Sequence, residues 1–93
     1  MIFNSSTKTQ QDTFSDTLTE EVKSLLLYND NVNTFDHVIE CLMKICNHEP
    51  EQAEQCAYII HYKGKCAVKS GEFLKLRPLC EALLDKGLSA TIE

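Results

Sequence analysis

Ser24-Leu25-Leu26-Leu27-Tyr28-Asn29-Asp30-Asn31-Val32-Asn33-Thr34-Phe35-Asp36-His37-Val38-Ile39 changes character twice within one short stretch. Ser24–Tyr28 is an apolar run closed by polar turn formers, which is the pattern of a core strand. Asn29, Asp30 and Asn31 follow; such side chains bond to their own backbone and so compete with continued strand. Asn33 offers an N-cap, with Asp36 three residues on as a shorter version of a capping-box glutamate. Phe35, Val38, Ile39, Leu42, Met43, Ile45 and Cys46 then recur with helical period, which predicts a helix over 34–46.

The rest of the chain is punctuated as clearly. Pro50 suits a first helical position, Glu49 and Glu51 suit the positive end of a helix dipole, and Gly64 suits a left-handed stop. These signals predict a second helix over 50–62. Lys65–Lys69 reads as a short strand, followed by Ser70-Gly71. A third helix should run toward Lys86 and stop at Gly87, with Pro78 either kinking it or delaying its regular part to about Arg77. Leu88–Glu93 alternates as a last strand. Three short strands are not stable alone. The expected architecture is therefore α+β, a small three-stranded antiparallel sheet with three helices in the order β-α-α-β-α-β. Residues 1–22, rich in Ser, Thr, Gln and Asp, read as a flexible N-terminal tail, and 23–93 as the folded domain.

Composition narrows the function. Ninety-three residues with 43% hydrophobic and 25% charged side chains make one small globular domain. The net charge of −5 argues against nucleic acid as a partner. No stretch approaches the roughly 20 apolar residues of a membrane span, and the start lacks the basic and apolar regions of a signal peptide. The expectation is a cytoplasmic chain with no membrane role. The five cysteines are odd in number and lack a CxxC pair, so buried reduced thiols are expected. Cys41, Cys46, His48 and Cys56 match no paired zinc spacing, so no metal and no cofactor are expected.

One constellation stands out. Ala57, Ile60 and His61 share a helix face, and so do Phe35 and Val38. If the two helices are neighbours, these side chains line an apolar cleft, with Asn29, Asp30 and Asn31 at its mouth. Amide, carboxylate and imidazole acceptors beside an apolar wall suit a cationic donor that carries an apolar group. Taken singly, each part has an ordinary reading as turn, helix end or core. Enzyme signatures are missing: there is no GxSxG, HExxH or Walker pattern. Asp36, Glu40 and Glu72 are not paired by spacing, and Cys56 and His61 would point about 140° apart on one helix. A binding protein, not an enzyme, is the expectation.

These residues also carry a resemblance. Leu27-Tyr28-Asn29-Asp30, Phe35-Asp36-His37-Val38-Ile39, Ala53, His61-Tyr62-Lys63-Gly64-Lys65 and Leu88-x-x-Thr91-Ile92-Glu93 resemble the ClpS family of adaptor proteins, over about three quarters of the chain. The resemblance implies an adaptor that delivers proteins with a bulky N-terminal residue (Leu, Phe, Tyr or Trp) to the N-terminal domain of a Clp-type ATP-driven unfoldase and its protease. By position, it implies that Asn29, Asp30, Asn31 and His61 hold the α-amino group. It places Phe35, Val38, Ala57, Ile60 and Leu88 around the first side chain. Glu72 and Lys75 lie near the surface that docks on the unfoldase. The chain departs from the family in having Asn31 where a second acidic residue is usual, and Phe35 and Ala57 where Met is usual. The stretch before the last helix is also shorter and contains Pro78. A general interaction domain like the C-terminal domain of ribosomal stalk proteins, with the same element order, is the alternative. A thiol or metal protein using Cys41, Cys46 and Cys56 is a third.

Overall fold

The central strand β1 is made by the apolar run, and in the computed structural model, which describes residues 21–93, it spans Val22–Tyr28. It starts two residues before the expected Ser24, because Val22 pairs with Glu72 although its side chain faces solvent. The expected boundary between tail and domain therefore falls inside β1, and the rest of that tail, residues 1–20, lies outside the described residues. β1 pairs antiparallel with β2 (Lys65–Glu72) on one side and with β3 (Ser89–Ile92) on the other, giving the order β2-β1-β3. Leu25 and Leu27 point into the core, together with Ala90 of β3, while Leu26 lies half-buried on the other side.

β2 runs three residues past the expected Lys69. Ser70 and Gly71 stay in the ladder opposite Ser24 and Lys23. A bulge accommodates the extra length: Leu25 faces Lys69 and Leu26 faces Ala67, leaving Val68 without a partner residue. The buried His48 uses that irregularity. Its Nε2 donates to the Val68 carbonyl at 2.7 Å, which fixes the tautomer and leaves Nδ1 as a bare buried acceptor.

Three helices cover the sheet. Helix α1 (Phe35–Ile45) is capped by Thr34, whose Oγ1 accepts from His37 N at 3.1 Å. The cap is one residue later than the expected Asn33, because the Asn33 amide is engaged elsewhere, and Asp36 does not complete a capping box. Helix α2 (Pro50–Lys63) has Pro50 in its first turn and ends at Gly64, φ +97°, where a side chain would be strained. Helix α3 (Phe73–Asp85) starts four residues before the alternative start near Arg77 and passes through Pro78. Pro78 has no N–H for the carbonyl of Leu74, which belongs to an exposed residue. α3 ends in a Schellman turn: Leu88 N bonds Leu83 O at 3.1 Å and Gly87 N bonds Leu84 O at 3.0 Å.

The core between sheet and helices centres on Leu25, Leu27, Leu42, Leu76 and Leu83. Burying each such side chain stabilises the fold by roughly 1.5–3 kcal/mol. All five cysteines are free thiols, and four are buried. Burial pushes the Cys46 thiol up to about 11, and burial followed by the neighbouring Cys66 pushes Cys56 up to about 12. No cluster of three metal-ligating side chains exists among the described residues, so the zinc reading of Cys41, Cys46, His48 and Cys56 has no geometric basis there.

Candidate functional site

The site begins where β1 ends. Asn29 N donates to the carbonyl of Gly64 at 2.9 Å, so the strand's end is fastened to the C-terminus of α2. That bond brings the Asn29-Asp30-Asn31 turn next to His61. Asp30 then shapes the turn. Its Oδ1 accepts from Val32 N at 2.9 Å and Asn33 N at 2.8 Å, and its Oδ2 accepts from Asn33 Nδ2 at 2.7 Å. The Asn33 backbone bond is the largest of the effects holding the Asp30 carboxyl below its ordinary range, and Val32 N and the Asn33 amide add to it. A carboxylate offers about four acceptor positions. Asp30 uses three, so it keeps its charge and one free position.

The turn is also fastened on its far side. Asn33 Nδ2 donates to Gly87 O at 2.9 Å, and His37 Nε2 donates to Lys86 O at 2.9 Å. Both acceptors belong to the Schellman turn that ends α3. The polar loop is therefore held between the ends of α2 and α3.

Between these fastenings lies a cleft of about 290 Å³. Asn29, Asp30, Asn31, Asn33 and His61 form its polar lip, and Phe35, Val38, Ala57 and Ile60 its apolar wall. Phe35, the first residue of α1, is packed edge-on against Tyr58 (ring centroids 5.0 Å) and His61 (5.8 Å). The negative end of the α2 dipole lies at the same lip and favours a cation there. Acceptors on one side and an apolar wall on the other suit recognition of a cationic donor that carries an apolar group.

The structure thus brings together eight of the nine expected cleft residues. Leu88 is the exception. It is buried in the core beside the Schellman turn and is not part of the lining. Glu72 at the end of β2 and Lys75 in the first turn of α3 form a separate junction. Asn33 was expected only as a cap, and His37 had no expected role. The Asp30-x-x-Asn33 spacing is the one local signal for the first.

The chain is similar to known proteins. The family model for the ATP-dependent Clp protease adaptor protein ClpS matches residues 19–91. The chain belongs to the ClpS family. It is 36% identical over 66 residues to the ATP-dependent Clp protease adapter protein ClpS of Thermosynechococcus vestitus, covering 70% of each chain. Its fold is similar to that of Agrobacterium tumefaciens ClpS2 bound to L-phenylalaninamide, with a TM-score of 0.71 at 20% identity, covering 77% of this chain and 94% of that one. ClpS is an adaptor family rather than a catalytic one, and no described helix is long and apolar enough to cross a membrane.

Proposed function

We propose that the cleft binds the free N-terminus of proteins whose first residue is bulky and apolar. The adaptor then delivers them to the N-terminal domain of a Clp-type ATP-driven unfoldase. The observation carrying this reading is the meeting of free acceptors and an apolar wall in one cleft of about 290 Å³. An α-ammonium has three donors and a positive charge, and leaving it unpaired on desolvation costs several kcal/mol. Asp30's remaining position, the Asn29 and Asn31 amide oxygens and the His61 imidazole can accept those donors. Each hydrogen bond to a charged group is worth about 1.5–3 kcal/mol. Burying a Leu or Phe side chain between Phe35, Val38, Ala57 and Ile60 adds roughly 1.5–3 kcal/mol.

An internal residue has one amide N–H and no charge, so it lacks most of this. The A. tumefaciens relative's ligand, L-phenylalaninamide, has the two features the cleft suits, a free α-amine and an apolar first side chain. Ala57 leaves room that a longer side chain would fill, which favours Phe, Tyr and Trp alongside Leu. Docking through Glu72 and Lys75 is part of the same proposal, supported by their place at the junction of β2 and α3, outside the cleft lining. Family membership favours this reading over a stalk-type interaction domain.

The test is affinity for two peptides that begin with Leu and differ only in N-terminal acetylation. Loss of at least two charge-assisted bonds should weaken binding on the order of 100-fold or more. Equal affinity for both peptides would sink the proposal.

A further inference from the structure

Beside the cleft, α2 carries an aromatic ridge that the N-terminal residue does not use. Tyr58 and Tyr62, one turn apart, lie with their rings nearly parallel (6°) and centroids 6.0 Å apart. They are 51% and 74% exposed, large apolar surfaces left open to water. The ridge is continuous with the cleft through two contacts. Tyr58 packs on Phe35 of the wall, and Tyr62 meets His61 of the lip edge-on at 4.8 Å.

A bound chain that leaves the cleft past His61 runs onto this ridge. In an extended segment alternate side chains point to the same side, and residues two apart are separated by about 6.6 Å. When the first side chain points down into the cleft, the second points away and the third points down again. Tyr58, 5.0 Å from Phe35 of the wall, and Tyr62, 6.0 Å from Tyr58, put open aromatic surface within reach of that third side chain. We propose that the Tyr58–Tyr62 ridge is a second subsite, which takes an aromatic side chain at the third position of the substrate's N-terminal segment.

The chemical class follows from the surface. A third ring can stack on the open Tyr62 face or meet its edge, geometries that aromatic pairs prefer. This subsite rests on the proposed function, since it needs the N-terminus anchored at His61.

The experiment compares three peptides with free N-termini, beginning Leu-Ala-Ala, Leu-Ala-Phe and Leu-Phe-Ala, by calorimetric titration. Acetylated Leu-Ala-Ala is included, and wild type is run beside Tyr62→Ala, whose side chain is too exposed to matter for folding. Leu-Ala-Phe should bind about three- to tenfold tighter than Leu-Ala-Ala. In Tyr62→Ala that gain should vanish while Leu-Ala-Ala affinity stays the same. If acetylation abolishes binding but Leu-Ala-Phe shows no gain, or the gain appears only for Leu-Phe-Ala, the ridge is not this subsite and the cleft reading stands. If acetylation changes nothing, both readings fall.

Discussion

Two hollows are lined in part by α1, and they differ in what their polar groups do. The larger, about 290 Å³, has a lip whose amides and imidazole keep free acceptor atoms. The smaller, about 130 Å³, is lined by His37, Glu40, Cys41, Lys44, Ile45 and Lys86. It holds more titratable side chains, yet several of them bond to one another. Lys44 pairs with Glu40 at 3.0 Å, and the His37 ring donates to the Lys86 backbone carbonyl with Cys41 Sγ at 3.7 Å. Titratable residues that satisfy one another make a poorer site. Acceptors left over beside an apolar wall make a better one.

The sharpest way to break this contrast is Asp30→Ala. It removes the one formal charge of the lip and three bonds that shape the loop. Affinity for a Leu-starting peptide should fall on the order of 100-fold or more, while circular dichroism shows the fold retained. Retained affinity would remove Asp30 from the site. Asp30→Asn, which keeps the shape without the charge, should fall between the two and so separates organisation from charge.

Refilling the wall comes next. Ala57→Met places a long side chain in the cleft and should weaken a Trp-starting peptide about tenfold, with a smaller effect on a Leu-starting one. Equal losses for both would mean that Ala57 does not set the size limit.

Acidity gives a third measure, through Asp30. Its carboxyl is held below the ordinary range, so it stays ionised and able to accept wherever the pH lies above its unfolded value. A depressed carboxyl contributes stability that is present above its unfolded value of 3.8 and lost as pH falls through the lower folded value. His61→Ala, which removes one acceptor from the lip, should weaken a Leu-starting peptide severalfold, and unchanged affinity would remove His61 from the site. The smallest effect belongs to the second hollow. Glu40→Ala breaks an exposed pair and should change peptide affinity less than about twofold.

Much of this was readable in advance, for local reasons. Pro50, Gly64 and Gly87 act on their own backbone, so helix ends and element order could be read from them. Helical spacing placed Ala57, Ile60 and His61 on one face and Phe35 with Val38 on another. The misreadings are non-local. Ser70-Gly71, expected to follow the strand, is held in β2 by β1. Thr34 caps α1 because the Asn33 amide reaches Gly87, 54 positions away. His37 works through Lys86, 49 positions away, and no spacing rule covers such a pair. Leu88 satisfies the Schellman turn's need for an apolar contact and sits in the core instead of the cleft.

By itself, the chain's order of residues determined the elements, their stops, and which side chains share a helix face, since each depends on neighbours within a turn or two. Tertiary structure alone decided that the two faces enclose a common hollow, and which polar atoms stay free at its lip. Bonds among the ends of β1, α2 and α3 close that arrangement, and those ends meet only once the sheet has formed.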